Sequence, residues 1–523
     1  MKGAALLFLV PGALAIQLPF EIPSFFKAKS AILQNVMEEV PTLHSRVAII
    51  GAGAGGSSAA FWIGKAKERY GLDVEIDVYD KESYVGGRST TVYPHNDTSL
   101  RPIELGASIF VKANKNMWRA SEEFNLTRRT FKDEDYETGI WDGEQFILTF
   151  GGSWWDTLKV LWRYGINAPR KTQSAVNSMI DSYLALYTKD TPRWDRVEDV
   201  STALGFESLV ASTTSEYLLS KGVSANYISE VVEAATRVNY AQDTDAIHAL
   251  EGACSMAADN AAGIAGGNWQ VFDEFLKRSG ANVYLNTPVT SITPKGRKWT
   301  VKSARGSETY KAVILAAPFH QTAIQVPQAI QEQIPEQPYI NLHVTLLSTT
   351  ASSPNASYFG LPEGTKVPNF VLTSRAGARK GGKEPEFNSL SYHGPIRDGE
   401  WTVKIFSMQT VTDEWLEKVF SGSVGWVYRK EWKAYPKLPP TTTFPPVKLD
   451  NGFYYVNSFE PFISTMETET ISSRNVVDLF LNEHFQTGIC GSNIAASPEA
   501  PNDTTPASKA VPEDDSLIYG WDC

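Results

Sequence analysis

Gly51, Gly53 and Gly56 follow directly on the apolar run Val47–Ile50 and precede a helical pattern over Ser57–Lys67. Together they make a G-x-G-x-x-G turn between a strand and a helix. Gly51 permits the tight turn, Gly53 lets the main chain approach a diphosphate, and Gly56 lets the helix pack close to the strand. Gly55 lies in the same turn and joins the candidate contacts. The free N–H groups that open the helix would then face phosphate charge. A second strand, Val74–Tyr79, ends at Asp80, whose carboxylate can accept hydrogen bonds from a ribose. Asp80 lies beyond the usual distance of about 20 residues from the turn, and Tyr70-Gly71-Leu72-Asp73 accounts for the longer connection. These residues predict a bound dinucleotide; the alternative is a βαβ unit whose glycines serve packing alone.

A second glycine turn, Tyr84-Val85-Gly86-Gly87-Arg88, follows the acid. With it the segment resembles the amine-oxidase-like flavoproteins, in which Gly86, Gly87 and Arg88 would lie against the pyrophosphate of FAD. IELGASIF (residues 103–110) resembles that family's next segment, where Glu104, Gly106 and Ala107 would pass near the flavin. VILAAP (313–318) resembles the strand that re-enters the cofactor domain. Val289 would follow the position that meets the adenine end through its backbone. Near the other end of the chain, FYYVNSFEPFISTMETETISS (453–473) reads as strand, turn and helix, adding Glu460, Met466 and Glu467 to the candidate cofactor contacts. A helix N-terminus there would stabilise the negative charge of a reduced flavin.

A narrower resemblance follows. TRVNYAQDTDAIHALEGACS (236–255), Trp162-Arg163-Tyr164-Gly165, Gly266-Gly267-Asn268 and WKAYP (432–436) resemble signatures of the prenylcysteine oxidases. The likeness runs from about Arg46 to Leu481 and is patchy over 345–400. Ala54 and Ala107 in the turns, and the whole tail, depart from it. The resemblance implies FAD, and oxidation of the thioether of S-farnesyl- or S-geranylgeranyl-L-cysteine to a prenyl aldehyde, cysteine and hydrogen peroxide, with O2 as acceptor. Arg237, Asn239, Tyr240 and Gln242 are the residues it suggests for the catalytic site; the competing reading makes RVNYAQ a helix end that caps neighbouring loops. Rival functions are another FAD oxidase, acting on amines or amino acids, and a homologue that binds FAD without turnover.

Composition narrows the classes. Hydrophobic residues make up 42% of the 523-residue chain and charged residues 20%, which describes a globular protein with a large core. The formal net charge of −11, with no basic block, argues against a nucleic-acid partner. The three cysteines and seven histidines show no metal-ligand spacing, so no metal is expected. Cys490 and Cys523 either pair or remain free thiols. Residues 1–15 read as a signal peptide: Lys2, the apolar run Ala4–Val10, then Ala13-Leu14-Ala15. That run is shorter than the roughly 20 residues a membrane span needs, and no later segment is long and apolar enough. Sequons at Asn96, Asn125, Asn355 and Asn502 agree with export. The expected setting is the secretory pathway, with a lysosome, vacuole or the exterior as destination. Trp154, Trp155 and Trp162 leave three roles open: tunnel wall, peripheral membrane contact or core.

The fold class expected is α/β: a Rossmann-type FAD-binding domain assembled from discontinuous segments, beside a second domain of mixed sheet and helix for substrate. The divisions expected are a connector over 16–44, cofactor-domain pieces at 45–112, 266–325 and 441–490, a mainly helical substrate piece at 113–265, a substrate sheet at 326–440 and a flexible tail at 491–523.

Overall fold

The structure is a computed structural model that describes residues 45–130, 137–151, 154–191, 193–258, 260–491 and 517–523. The signal peptide, the connector, Asn502 and residues 492–516 of the tail lie outside these.

The strand Ser45–Ile50 pairs in parallel with Val74–Tyr79 on one side and Ala312–Leu315 on the other. Asn282–Tyr284 and Phe453–Tyr455 extend the parallel sheet outward, and Lys448–Asp450 closes one edge in antiparallel sense. Strands from three separate stretches of chain therefore share one six-stranded sheet. Its central strands are apolar on both faces, as burial between two layers requires. Val47 and Ile49 face one core, where the helices Ala54–Tyr70, Trp269–Ser279 and Met466–Phe485 pack. Ala48 and Ile50 face the other, covered by the antiparallel strands Val289–Lys295, Lys298–Ser303 and Gly306–Tyr310.

The helix Met466–Phe485 is buried without a break from Glu467 to Asp478, so its polar groups must find partners inside. Ser473 Oγ donates to the Gly55 carbonyl at 2.6 Å, Trp62 Nε1 to the Thr470 carbonyl at 3.3 Å, and Arg474 to the Tyr519 carbonyl at 3.0 Å. The last bond involves the end of the chain, where a flexible tail was expected. Residues 517–523 instead return to the body. Cys523 forms a disulfide with Cys490, Arg69 donates to the carbonyls of Gly520 and Trp521, and the Trp521 ring packs on Phe61 and Trp62. The apolar Ile518, Tyr519 and Trp521 are buried there and hold this end in place.

The second sheet has seven strands, in spatial order Val424–Pro436, Tyr339–Thr349, Glu400–Ser407, Ser389–Arg397, Phe370–Thr373, Thr138–Trp141 and Phe146–Phe150. The last two come from the stretch expected to be mainly helical, and Thr138–Trp141 joins in parallel to Phe370–Thr373. Such short strands are stabilised by partners distant in sequence, so local periodicity does not reveal them. One face of the sheet packs its own core around Leu347, Phe387, Val403 and Ile405. The opposite face, with Leu346, Phe406 and Trp432, turns toward Ile103 and Leu105.

Candidate active site: a glycine cradle and a walled chamber

A cavity of about 750 Å³ runs from the carboxyl ends of the parallel strands to the inner face of the seven-stranded sheet. Ligands in open α/β sheets bind at such carboxyl ends.

The cradle end is built from backbone. Gly51 has φ +115°, and a Cβ there would stand 2.4 Å from the Ala316 carbonyl oxygen; one on Gly56 would reach within 1.8 Å of the Gly51 oxygen. Gly56 therefore seats the helix on the strand and does not line the cavity, whereas Gly51, Gly53 and Gly55 do. Gly53 is the N-cap of Ala54–Tyr70, with no side-chain cap and no acid in the first turn. The first N–H groups are thus left for an anion. Gly86 donates to the Ala52 carbonyl at 2.9 Å, which ties the two glycine turns together. Asp80 accepts from Ala52 N at 2.6 Å and Glu82 N at 2.8 Å while lining the cavity, so it also holds the turn. Val289, Gly86, Gly87, Gly106, Ala107 and Met466 complete the lining among the expected contacts. Ala107 sits at φ 49°, strained for a residue with a Cβ; its carbonyl accepts from Asn268 Nδ2 at 2.7 Å, and Asn268 N donates to Glu104 at 2.6 Å.

Arg88 lines the cavity and ion-pairs with the buried Glu460 at 2.6 Å. Glu460 also accepts from Tyr339 Oη at 2.6 Å and stands behind the wall, as a support for Arg88. Glu467, expected at the cofactor, faces away. Its carboxylate accepts from Asn116 N and Met117 N, both at 2.8 Å, and from Tyr187 Oη at 2.6 Å, capping the helix Lys115–Glu123. Met466 and Glu467 are adjacent, but successive helical residues diverge by about 100°, so only one can face the cavity.

The residues present fit FAD. Buried polar atoms without protein partners gather at this wall: Asn457 Oδ1, Glu469 Oε1, Gln321 Nε2 and Trp432 Nε1. Thr465 caps Met466–Phe485 through a reciprocal pair with Thr468, and that helix end opens on the cavity. Burial and the neighbouring Glu460 raise the Glu469 carboxyl above the ordinary carboxylate range, so it is available as a donor.

At the chamber end the residues suggested for catalysis divide. Asn239 and Tyr240 line the cavity, whereas Arg237 and Gln242 are placed outside it. Arg237 ion-pairs with Asp243 at 2.8 Å and donates to Thr373 Oγ1 at 3.0 Å. Gln242 donates to the Pro436 carbonyl at 3.0 Å and accepts from Leu438 N at 2.8 Å, pinning the strand Val424–Pro436. Their pattern is that of a helix end capping its neighbours. Asn239 uses its amide hydrogens on the carbonyls of Ala235 and Ser255. The Tyr240 hydroxyl bonds to the buried Glu251, whose pKa burial pushes to about 7, and Glu251 also accepts from Ser464 N at 3.2 Å.

Sequence reading passed over Lys404, Ser391, His393, Phe406 and Tyr435, which also line the chamber. The one available signal was a lysine within the otherwise apolar strand TVKIF. Among the described residues no group of His, Cys, Asp and Glu could hold a metal ion. Trp154, Trp155 and Trp162 neither wall the cavity nor join the core: they are 63%, 59% and 91% exposed.

Comparison with known proteins decides the family. The prenylcysteine lyase family profile matches residues 150–488, and a profile for NAD(P)-binding Rossmann-like domains matches residues 49–124. The chain belongs to the prenylcysteine lyase family. It is 31% identical to farnesylcysteine lyase of Arabidopsis thaliana, over 83% of this chain and 88% of that one. Against human prenylcysteine oxidase 1 the identity is 29%, over 82% and 87%. Among solved structures, putrescine oxidase with bound putrescine superposes with a TM-score of 0.56 at 15% identity, covering 84% of this chain and all of that one. Cyclohexylamine oxidase from Brevibacterium oxydans gives 0.54 at 15%. These two likenesses show a shared fold.

Proposed function

We propose that this family member is an FAD-dependent oxidase of S-prenyl-L-cysteine, releasing prenyl aldehyde and cysteine and passing the electrons to O2 as hydrogen peroxide. The observation that carries this reading is the continuity of one cavity from a dinucleotide cradle into a chamber walled by Phe370, Phe406, Trp432 and Tyr435. When bound, the flavin supplies a two-electron acceptor. The aromatic walls hold the isoprenoid and exclude water from its length. The N-terminus of the helix Met466–Phe485, which faces the cavity, favours negative charge at the cradle through its dipole. In the substrate, loss of hydride from the allylic carbon beside sulfur leaves a cation stabilised by sulfur and alkene; water adds, and the hemithioacetal breaks to aldehyde and thiol. The chain needs to orient that carbon rather than to supply a strong base.

The test is peroxide and aldehyde release from S-farnesyl-L-cysteine, with putrescine and amino acids as alternatives. Peroxide from the thioether alone supports the reading; turnover of amines in its place overturns it, and a yellow protein silent on every substrate marks a binding homologue.

The same reading places the protein in the secretory pathway, with a lysosome or vacuole as destination. Support comes from the exposed sequons Asn96 and Asn125 and from the disulfide Cys490–Cys523, a bond typical of oxidising compartments. Asn355 is less suited to glycosylation, because its Nδ2 donates to the Lys418 carbonyl at 3.0 Å. No described helix is long and apolar enough to cross a membrane. Peripheral contact is proposed through Trp154, Trp155, Leu158, Trp162 and Ile166, all exposed on one short stretch. W162S should weaken sedimentation with phospholipid vesicles, and unchanged sedimentation would remove this stretch from the membrane contact.

A further inference from the structure

One buried charge in the chamber has no use in the cradle. Lys404 sits in the middle of Glu400–Ser407 and is only 6% exposed, yet it lines the cavity. Both acceptors of its ammonium are neutral: Ser108 Oγ at 3.0 Å and the Glu104 carbonyl at 3.3 Å. Among the described residues no carboxylate forms an ion pair with it. Glu104 favours that charge electrostatically, with its Oε1 accepting from Asn268 N and its Oε2 without a hydrogen-bond partner among the described residues. Further cations stand close by. Arg129 acts on Lys404 and on His393, Arg101 also acts on His393, and Arg101 donates to the His393 carbonyl. His393 is neutral, held so by burial and by these cations. Ser391 Oγ and His393 Nε2 bond to each other at 3.0 Å on the same wall.

A buried ammonium is costly unless it is paired and hydrogen-bonded; Glu104 acts on Lys404 only at a distance, so an anionic ligand in the cavity would supply the direct pair. Resting on the proposed function, we propose that Lys404 is the carboxylate subsite of the chamber, its ammonium pairing with the α-carboxylate of an S-prenyl amino acid. The placement is chemically apt. Lys404 is tethered to the loop 104–108, the loop that carries Gly106 and Ala107 on the cavity wall. In the substrate only a few bonds separate the carboxylate from the allylic carbon. Gripping the acid therefore brings that carbon toward the loop, and Phe406, two residues further along the same strand face, leads the isoprenoid away along the apolar wall.

The experiment compares ligands with and without the acid on the FAD-loaded protein. S-hexadecyl-L-cysteine and S-hexadecylcysteamine lack an allylic C–H and serve as unreactive ligands, titrated through the flavin absorption spectrum. S-farnesyl-L-cysteine and S-farnesylcysteamine serve for turnover. Wild-type protein should prefer the acid by on the order of 10–100-fold in Kd and in kcat/KM, the range of a charge-assisted pair. In Lys404→Met that ratio should collapse to near one, and Lys404→Arg should restore part of it. Equal affinity of wild-type protein for both ligands overturns the proposal without any variant. A K404M loss equal for both ligands also overturns it. Should wild-type protein oxidise neither farnesyl thioether, the proposed function fails and this subsite falls with it; oxidation of both without discrimination overturns the subsite alone.

Discussion

The cradle and the chamber share one cavity but are made differently. The cradle is backbone: two short glycine turns, at Gly51–Gly53 and Gly86–Gly87, and the uncapped start of the helix Ala54–Tyr70. The chamber is side chains: Phe370, Ser391, Lys404, Phe406 and Trp432 come from four strands of one sheet, brought to one wall by strand pairing. The difference teaches where each is fragile. A backbone site tolerates no added atom, whereas a side-chain site tolerates exchange and changes what it selects.

The sharpest test is at Gly51. Gly51→Val places a branched side chain at a positive φ against the Ala316 oxygen, so the purified protein should be colourless, with retained flavin below about a tenth of wild type. A yellow G51V protein would break the distinction. Next come two arginines, one on each side of it. Arg88→Met leaves Glu460 buried and without its cation, and should destabilise by about 3–5 kcal/mol and reduce flavin content. Arg237→Met should destabilise less, about 1–3 kcal/mol, because Asp243 keeps Arg375 at 2.8 Å as a partner. The flavin spectrum and KM of R237M should remain those of wild type, as expected of a residue outside the cavity; thermal melts and substrate titrations separate the two.

The smallest effect is on pH. Burial raises the Glu104 and Glu251 carboxyls to about 7 from an ordinary value of 4.5. At these two sites the folded state therefore binds more protons than the unfolded state between those values, and the stability they contribute is greatest below about 4.5 and is lost as pH rises through about 7. Melting temperature should fall between pH 5 and pH 7.5, and Glu251→Gln should flatten that slope. A slope unchanged in E251Q would remove Glu251 from the account.

Legibility followed the same division. The turn at Gly51–Gly56, the strand ending at Asp80 and the Gly86–Gly87–Arg88 turn could be read because each function lives in a local backbone shape. Glu467 misled because the turn at a helix start decides which of two adjacent side chains faces the cavity, and that turn is set by packing on Asn116 and Met117. Arg237 and Gln242 misled because polar residues at a helix end look alike in sequence whether they meet a ligand or, as here, Asp243 and the carbonyl of Pro436. The strands Thr138–Trp141 and Phe146–Phe150 were invisible for want of their distant partner, Phe370–Thr373.

By itself the sequence determined the dinucleotide turn, the three-part assembly of the cofactor domain and the family, because glycine, β-branched runs and their order act through the chain's own local geometry. Only the tertiary structure decided that Cys490 meets Cys523, that Glu460 supports Arg88 from behind, and that Lys404 reaches the cavity with only neutral acceptors on its ammonium. Each of these depends on which distant surfaces pack together, and on what burial then does to a charge.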